Sequence, residues 1–255
     1  MKFNLSHIQF SHYDRKRNIK LPNKTSEELA ELVGVILGDG NIHNSLNRVT
    51  IVGSIEDRFY YKNHLIPLIT SLFNIIPDFK KRNDRKAYYI HFYSQAIISF
   101  FVRALGMIRG NKINAQIPEF ITQKQEYIYS FLRGLFDTDG CLKFSKQTKQ
   151  IHYYPRLEIG FKESNFVFEV ISLVKKIGFN FATCFDNRSP KFIKFQISGS
   201  NNLENWMNNI GSNNIVQYSK YLYWKEFGYY IPKSSLKSRL NALNLNRNNL
   251  SHEFK

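Results

Sequence analysis

Glu31-Leu32-Val33-Gly34-Val35-Ile36-Leu37-Gly38-Asp39-Gly40 and Phe131-Leu132-Arg133-Gly134-Leu135-Phe136-Asp137-Thr138-Asp139-Gly140 stand 100 positions apart and end alike. Each is an apolar run with helical periodicity that closes on an acidic residue followed by glycine. The chain therefore reads as a duplicated half-module with one carboxylate per copy. Gly34 and Gly38 are four apart and share a helix face, and Gly134 and Thr138 repeat that small-residue spacing. Helices notched in this way approach closely. Their ends then carry Asp39 and Asp139 to a common point.

Moving outward, residues 1–24 are polar and basic and read as an N-terminal arm, followed by a first half over 25–121. The second half spans 122–232, and 233–255 is either a helical appendage or a loose tail. Thr25-Ser26-Glu27-Glu28 has the form of a capping box, so a helix should start there and run to about Leu37. Thr122-Gln123-Lys124-Gln125 repeats the signal before the second run. In the first half, Arg48 to Val52 alternates as a strand, and Ile55 to Phe73 fits a helix that Pro67 kinks or splits. Strands follow at Phe79–Arg82 and Ala87–Tyr93 around the turn Asn83-Asp84-Arg85, then a helix from Gln95 to Leu105 ended by Gly106. The second half offers a strand at Tyr154–Lys162, a helix at Ser164–Ile177, strands at Phe181–Phe185 and Lys191–Ser198, and a helix at Asn202–Ile210. Elements located this way recur in the order helix, strand, helix, strand, strand, helix. Phe100, Phe101, Phe131, Phe136, Phe166 and Phe168 occupy apolar helical settings and should be core.

Charge identifies the partner class. Lys and Arg number 36 against 20 Asp and Glu, a formal charge of +16, which points to a polyanion and most directly to nucleic acid. The 36 basic residues divide equally between 1–125 and 126–255, so the charge belongs to both halves. Cys141 and Cys184 are the only cysteines and suggest neither a disulfide framework nor a thiolate metal cage. No stretch has the length and apolarity of a membrane span or a signal peptide. The expectation is an intracellular protein of the cytoplasm or an organelle matrix, with no membrane partner.

The two motif copies resemble the LAGLIDADG homing endonuclease family in its single-chain, two-motif form, over roughly residues 26–230. The aligned nine-residue stretches are Leu32 to Gly40 and Leu132 to Gly140. The resemblance implies an α+β fold of two pseudo-symmetric αββαββα-like halves. The motif helices would form the central interface, and two antiparallel sheets a saddle over DNA. It further implies a monomer making a staggered double-strand break with short 3′ overhangs in a long DNA target, encoded by a mobile intron or intein-like element. No splicing domain is visible, which favours a free-standing intron type.

Two carboxylates brought together repel, and one keeps its proton unless a cation lies between them. Oxygen donors without His or Cys indicate Mg²⁺, which keeps several waters and takes further ligands from phosphate. By resemblance, Asp39 and Asp139 with the carbonyls of Gly38 and Thr138 would hold the metal ions. The family also places a basic residue near each centre, and the best matches are Lys112 and Lys220, at unequal distances of 73 and 81 positions past their aspartates. Asp137, where the first copy has Leu37, suits a hydrogen-bonding role.

A basic, polar strand face recurs in both halves: Arg48 and Thr50, then Arg156, Glu158 and Lys162. Lys80, Arg82, Arg85, Tyr88, Arg188, Lys194 and Gln196 lie nearby. Such a ribbon fits a major groove, where Arg and Lys read guanine and Gln reads adenine, while other contacts grip phosphate. The rival reading is a non-cleaving relative of the same fold, an intron maturase or regulator, with intron RNA as a further candidate partner. A glycosidase with paired carboxylates is remote for a chain of charge +16 with only Trp206 and Trp224.

Overall fold

In the computed structural model, which describes residues 1–185 and 191–245, two four-stranded antiparallel sheets are joined through the two motif helices. The chain opens with α1 (His12–Lys16), the motif helix α2 (Glu27–Leu37) and the hairpin β1 (Gly40–Ile42) and β2 (Arg48–Ser54). Next come α3 (Arg58–Tyr60), a π-helical turn (Tyr61–Leu65), α4 (Ile66–Phe73), β3 (Asp78–Lys81), β4 (Ala87–Tyr93) and α5 (Gln95–Ser99). A second π-helical turn (Phe100–Ala104) and two 3-10 turns (Lys112–Asn114 and Glu119–Gln123) lead into the second half. That half comprises α6 (Gln125–Asp139), β5 (Gly140–Ser145), β6 (Tyr154–Lys162), α7 (Asn165–Lys176), β7 (Ala182–Phe185), β8 (Phe192–Ser198), α8 (Ser200–Asn209) and α9 (Ile215–Phe227), and α10 (Leu236–Ala242) follows.

The sheet orders β1-β2-β4-β3 and β5-β6-β8-β7 are the same topology twice. Each half therefore reads helix, two strands, helix, two strands, helix, which is the αββαββα plan. The strand directly after each motif, β1 and β5, is missing from the element order located by periodicity. β1 has only three residues and is defined by pairing with β2 (Gly40 opposite Ile51) rather than by its own alternation.

The seam between α2 and α6 explains the motif glycines. A Cβ on Gly34 would overlap the carbonyl oxygen of Phe131, and one on Gly134 would overlap that of Glu31. The two helices thus meet backbone to backbone at reciprocal positions. Leu32, Val33, Val35, Leu132 and Leu135 are fully buried around that contact, which places the seam in the core.

Both anticipated caps are displaced. Ser26, not Thr25, is the N-cap of α2, its extended backbone letting the hydroxyl accept from Leu29 N at 3.2 Å. Thr25 instead bridges the halves: its Oγ1 accepts from the Met1 ammonium at 3.0 Å and sits 3.1 Å from the Tyr127 hydroxyl. At α6 the N-cap is Lys124 with no side-chain cap, because Thr122 lies in the preceding 3-10 turn and donates to Glu119 O at 2.9 Å. Pro67 opens α4 directly after a π-helical turn, so the helix over 58–73 widens there instead of breaking.

The N-terminal segment is docked rather than an arm. Ile8 and Ile19 are buried, and the buried carboxylate of Asp14 accepts from Ser11 N (3.0 Å) and Ala96 N (3.1 Å). At the other end α10 packs on α9, where the buried Arg239 guanidinium donates to Ser219 Oγ at 2.9 Å and Val216 O at 3.2 Å. Phe100, Phe101, Phe131, Phe136 and Phe166 are core as anticipated, but Phe168 is 52% exposed, on the outer side of α7. No helix among the described residues is long and apolar enough to cross a membrane.

Candidate active site and nucleic-acid interface

The two helix ends differ by one position. α2 stops at its C-cap Gly38 and releases Asp39 from the helix, whereas α6 includes Asp139 and is capped by Gly140. Asp39 is half-buried and Asp139 is exposed. Burial, then the charges of Asp139 and Asp57, push the Asp39 pKa up to about 7, against the pull of Lys112. Desolvation of the carboxyl group by its surroundings likewise raises Asp139, although the residue as a whole is exposed, with Lys112 opposing. The carboxylates thus share one electrostatic neighbourhood, and Lys112 is the cation common to both.

Lys112 caps the first motif helix from a distance of more than 70 residues. Its ammonium donates to Leu37 O at 3.0 Å, to Ile36 O at 3.4 Å and to Gly38 O. A cation on the last carbonyls of a helix is favoured by their unpaired lone pairs and by the helix dipole. Desolvation lowers its pKa, and the two aspartates oppose that shift. Asp39, Asp139, Gly38 and Lys112 are therefore brought together. Thr138 uses its hydroxyl on Gly134 O and Leu135 O, both at 3.0 Å, and faces Gly38 across the seam.

Lys220 is not brought to the carboxylates in the same way. It lies on α9 and donates to Gln217 Oε1 (3.1 Å) and Leu142 O (3.3 Å), with Cys141 Sγ at 3.9 Å. After desolvation, the main influences on its ammonium are Cys141, Arg239 and Glu56 rather than either aspartate. Gln217 is the nearer group to the second motif, since it donates to Gly140 O at 3.2 Å and accepts from Leu142 N at 3.1 Å.

Behind the site lies a polar network that periodicity does not reveal. The buried Glu31 carboxylate pairs with Arg133 (Nη2 at 2.8 Å, Nε at 3.1 Å), with His64 Nε2 at 2.5 Å and with Asn213 Nδ2 at 2.8 Å. Burial alone would raise its pKa, but His64 and Arg133 prevail and lower it to about 2. Asp137 takes the hydrogen-bonding role, accepting from Ser212 Oγ and from Asn213 N at 2.8 Å, while burial lifts its pKa to about 7. The signal available in sequence was the pair of charges within otherwise apolar motifs, Glu31 in one and Arg133 in the other.

Strand register sorts the anticipated DNA-face residues. Arg48, Thr50 and Val52 face away from the core on β2, and their partners Tyr93, His91 and Tyr89 share that open face, as does Lys80 opposite Tyr89. Arg82 pairs with Asp84 (2.8 and 2.7 Å) just beyond β3, and Arg85 is exposed in the turn. Tyr88 is on the other side of the sheet: it pairs with Gly53 and stacks on Phe79, which packs against the core. The period of two leaves no alternative, since adjacent residues point to opposite faces. The tyrosines on the open face are Tyr89 and Tyr93, which the run of tyrosines concealed.

In the second sheet Arg156, Glu158, Lys162, Lys194 and Gln196 all lie on one open face. Arg156 donates to Gln196 Oε1 at 3.2 Å and to Ser145 Oγ at 3.1 Å. Lys143, a further basic residue of this face, pairs with Glu158 at 2.5 Å. Arg188 lies outside the described residues.

Donors at the helix ends are oxygens, two carboxylates and backbone carbonyls, which suits a hard divalent cation. Among the described residues no group of three or more His, Cys, Asp or Glu side chains is placed to hold a metal ion. A cation at Asp39 and Asp139 would thus complete its shell from carbonyl, water or phosphate oxygen.

No family model matches the chain. It is 27% identical over 161 residues to glutamine–fructose-6-phosphate aminotransferase of Methanocaldococcus jannaschii, covering 63% of this chain and 14% of that protein. It is 28% identical over 182 residues to a DNA polymerase of Thermococcus litoralis (67% and 10%), and 25% identical over 195 residues to the replication factor C small subunit of Methanocaldococcus jannaschii (73% and 9%). The chain therefore spans 14% or less of the length of these relatives. Among solved structures, it superposes on the homing endonuclease I-DmoI in complex with DNA and Mn with a TM-score of 0.50 at 18% identity, over 72% of this chain and 96% of that one. On the meganuclease I-SmaMI bound to uncleaveable DNA the TM-score is 0.54 at 13% identity, over 80% and 91%. A variant of I-SmaMI gives 0.55 at 14% identity, over 90% and 94%. The chain has the two-motif α+β fold of the LAGLIDADG homing endonucleases. At these identities the likeness is one of architecture.

Proposed function

We propose that this protein is a site-specific DNA endonuclease that makes a staggered double-strand break by metal-dependent phosphodiester hydrolysis and acts as a monomer. The observation that carries the reading is the convergence of Asp39 and Asp139 at the ends of two glycine-notched helices, where each holds its proton more tightly than a free carboxylate. Such a pair favours a divalent cation over two protons near neutral pH. Mg²⁺ held by Asp39, Asp139 and the Gly38 and Thr138 carbonyls would polarise the scissile phosphate and lower the pKa of the attacking water.

The chain's own residues do the rest. Lys112 sits on the Gly38 carbonyl and would have to yield that oxygen to a cation while keeping those of Ile36 and Leu37. Released from it, the ammonium stands beside both carboxylates and is placed to donate to a phosphate oxygen as negative charge develops. The open faces of the two sheets carry Arg48 and Lys80 on one side and Arg156, Lys162 and Lys194 on the other, a basic surface for duplex backbone and base edges. Similarity confined to 14% or less of long proteins with unrelated activities is the pattern of a mobile module carried in host genes. Substrate DNA would place the protein in the cytoplasm or an organelle matrix.

The test is incubation with a randomised DNA library and Mg²⁺, followed by sequencing of cut ends. Recovery of one long target with a fixed stagger, lost in Asp39→Asn while salt-sensitive binding persists, supports the nuclease. Specific binding of DNA or intron RNA with no cutting by the wild-type chain replaces it with the maturase or regulator reading.

A further inference from the structure

Asn214 is 2% exposed, and its side chain uses both amide donors and accepts once through its carbonyl oxygen. Nδ2 donates to Asp57 Oδ1 at 2.9 Å and to the Asp137 carbonyl at 2.9 Å, while Oδ1 accepts from Val216 N at 3.0 Å as the N-cap of α9. Asp57 belongs to the first half, at the start of α3, and its charge bears on Asp39. Its second oxygen accepts from Ser54 N at 2.7 Å, so the carboxylate is fixed from both sides. Asp137 belongs to the second motif helix, two residues before Asp139. One buried amide thus touches a carboxylate fixed to the end of β2, the strand whose Val52 N donates to Asp39 O at 3.4 Å, and a carbonyl two residues before Asp139, and it also anchors the helix that carries Gln217 and Lys220.

Among the described residues the bracket exists once. Gly106 and Gly211 both follow the last helix of their sheet with positive φ (70° and 74°), so Asn214 corresponds to Arg109 in the first half. Arg109 turns to Asn47 Oδ1 at 3.1 Å instead. Likewise, Gly40 opposite Ile51 and Gly140 opposite Ile159 match Asp57 to Asn165, an uncharged residue.

We infer that Asn214 is a positioning residue which, through Asp57 on one side and the Asp137 carbonyl on the other, sets the two carboxylates relative to each other and keeps the two strand cleavages in step. This rests on the nuclease reading. Losing the amide leaves Asp57 held from one side only, by Ser54 N at the end of β2, whereas Asp139 keeps the support of its own helix. The two centres should then fall out of register unequally, as expected when small misplacements act on a reaction that depends on alignment.

The experiment uses the full chain and two independent readouts. Urea denaturation of Asn214→Ala, Asp57→Asn and the double variant, without DNA or metal, should show non-additive midpoints, since the two groups share a hydrogen bond. Strand-resolved cleavage of the selected duplex in Mg²⁺ should show Asn214→Ala slowing one strand about tenfold more than the other, with KM changed less than about twofold and nicked duplex accumulating. The exchange Asn214→Asp with Asp57→Asn restores a donor and acceptor across the Asp57 contact but leaves the Asp137 carbonyl without its donor, so it should recover only part of the balance between the strand rates. Equal slowing of both strands, or an exchanged pair that denaturation shows folded yet that recovers none of the balance, overturns the inference and leaves the nuclease reading standing. Failure of the wild-type chain to cut any selected DNA overturns both, even if the denaturation coupling is present.

Discussion

The first and second candidate centres differ more than the motifs that build them. In the first, a lysine reaches across to the carbonyls of Ile36, Leu37 and Gly38 and feels both carboxylates. In the second, counting from the matching glycines, the residue that stands where Lys112 does is Gln217, six past Gly211 as Lys112 is six past Gly106. Gln217 bonds the Gly140 carbonyl and the Leu142 amide, and Lys220 lies behind it. Duplication has kept what the helix seam demands and has let the surrounding cations diverge. A backbone-to-backbone helix contact admits nothing but glycine, while a charge beside a carboxylate pair can be supplied from several directions.

The seam should be symmetric, and substitution tests that first. Gly34→Ala and Gly134→Ala each push a methyl group into a backbone carbonyl of the partner helix, Phe131 or Glu31, which has no rotamer to escape by. Each should lose about 4 kcal/mol or more in urea denaturation, beyond the usual range for overpacking. Gly38→Ala meets chiefly the Thr138 side chain, its hydroxyl and then its Cβ, and should cost less, with Thr138→Ala relieving part of the loss. A large difference between Gly34→Ala and Gly134→Ala would break the symmetric view of the interface.

Next in size is the clamp that crosses the seam. Glu31 belongs to the first half, Arg133 and Asn213 to the second, so removing the carboxylate leaves Arg133 without its ion partner. Glu31→Gln should cost about 3 kcal/mol, the lower end for breaking a buried pair. Its acid limb follows from the shift: the folded pKa of about 2 lies below the ordinary 4.5, so the stabilisation is present above pH 4.5 and is lost as pH falls towards 2. Melting curves across that window should show the wild-type chain losing stability and the variant changing less.

These residues also mark how far the sequence can be read. The paired motifs, the two basic strand faces and Asp39 and Asp139 are legible because apolar periodicity, alternation of two and repetition are local signals. Lys112 is placed through the family resemblance. Tyr88 is misassigned because a run of tyrosines hides parity until the register with Gly53 is known. Lys220 is preferred to Gln217 when the match is made lysine for lysine, not by position after the glycine. Glu31, Asp57 and Asn214 escape for another reason: their partners lie 102, 157 and 77 positions away, and only packing brings such groups together.

The lysines sharpen the comparison between centres. Lys112→Met removes the ammonium that, among the described residues, faces both carboxylates and should lower kcat about 10²-fold, the usual loss for one preorganised charge donor. Lys220→Met removes an ammonium held away from them and should lower it less than about tenfold. Strand-resolved kinetics on the selected target would measure both. Equal losses would mean that Lys220 moves to the second centre when DNA is bound.

Smallest, and most telling about the carboxylates themselves, is the effect of Asp39→Asn on stability without divalent metal. The folded pKa of Asp39 is raised from 3.8 to about 7, so between those values the native state binds a proton that the unfolded chain releases. Stability from this group is therefore full below pH 3.8 and is lost as pH rises through 7, where an ionised carboxylate must stay beside Asp139. Replacing it by the neutral amide should leave stability unchanged near pH 4 and raise it at about pH 8. After discounting for solvent at this half-exposed position the gain should be about 1–2 kcal/mol. Asp139→Asn should gain less, because Asp139 is exposed and shares its field with Lys112. Millimolar Mg²⁺ should reverse the order at about pH 8, since a cation bound only by the folded wild-type chain stabilises it by mass action and neither variant retains both ligands. If Asp39→Asn instead lowers stability at that pH in the presence of a chelator, the carboxylates do not oppose each other, and the electrostatic case for a shared cation at the end of the seam is gone.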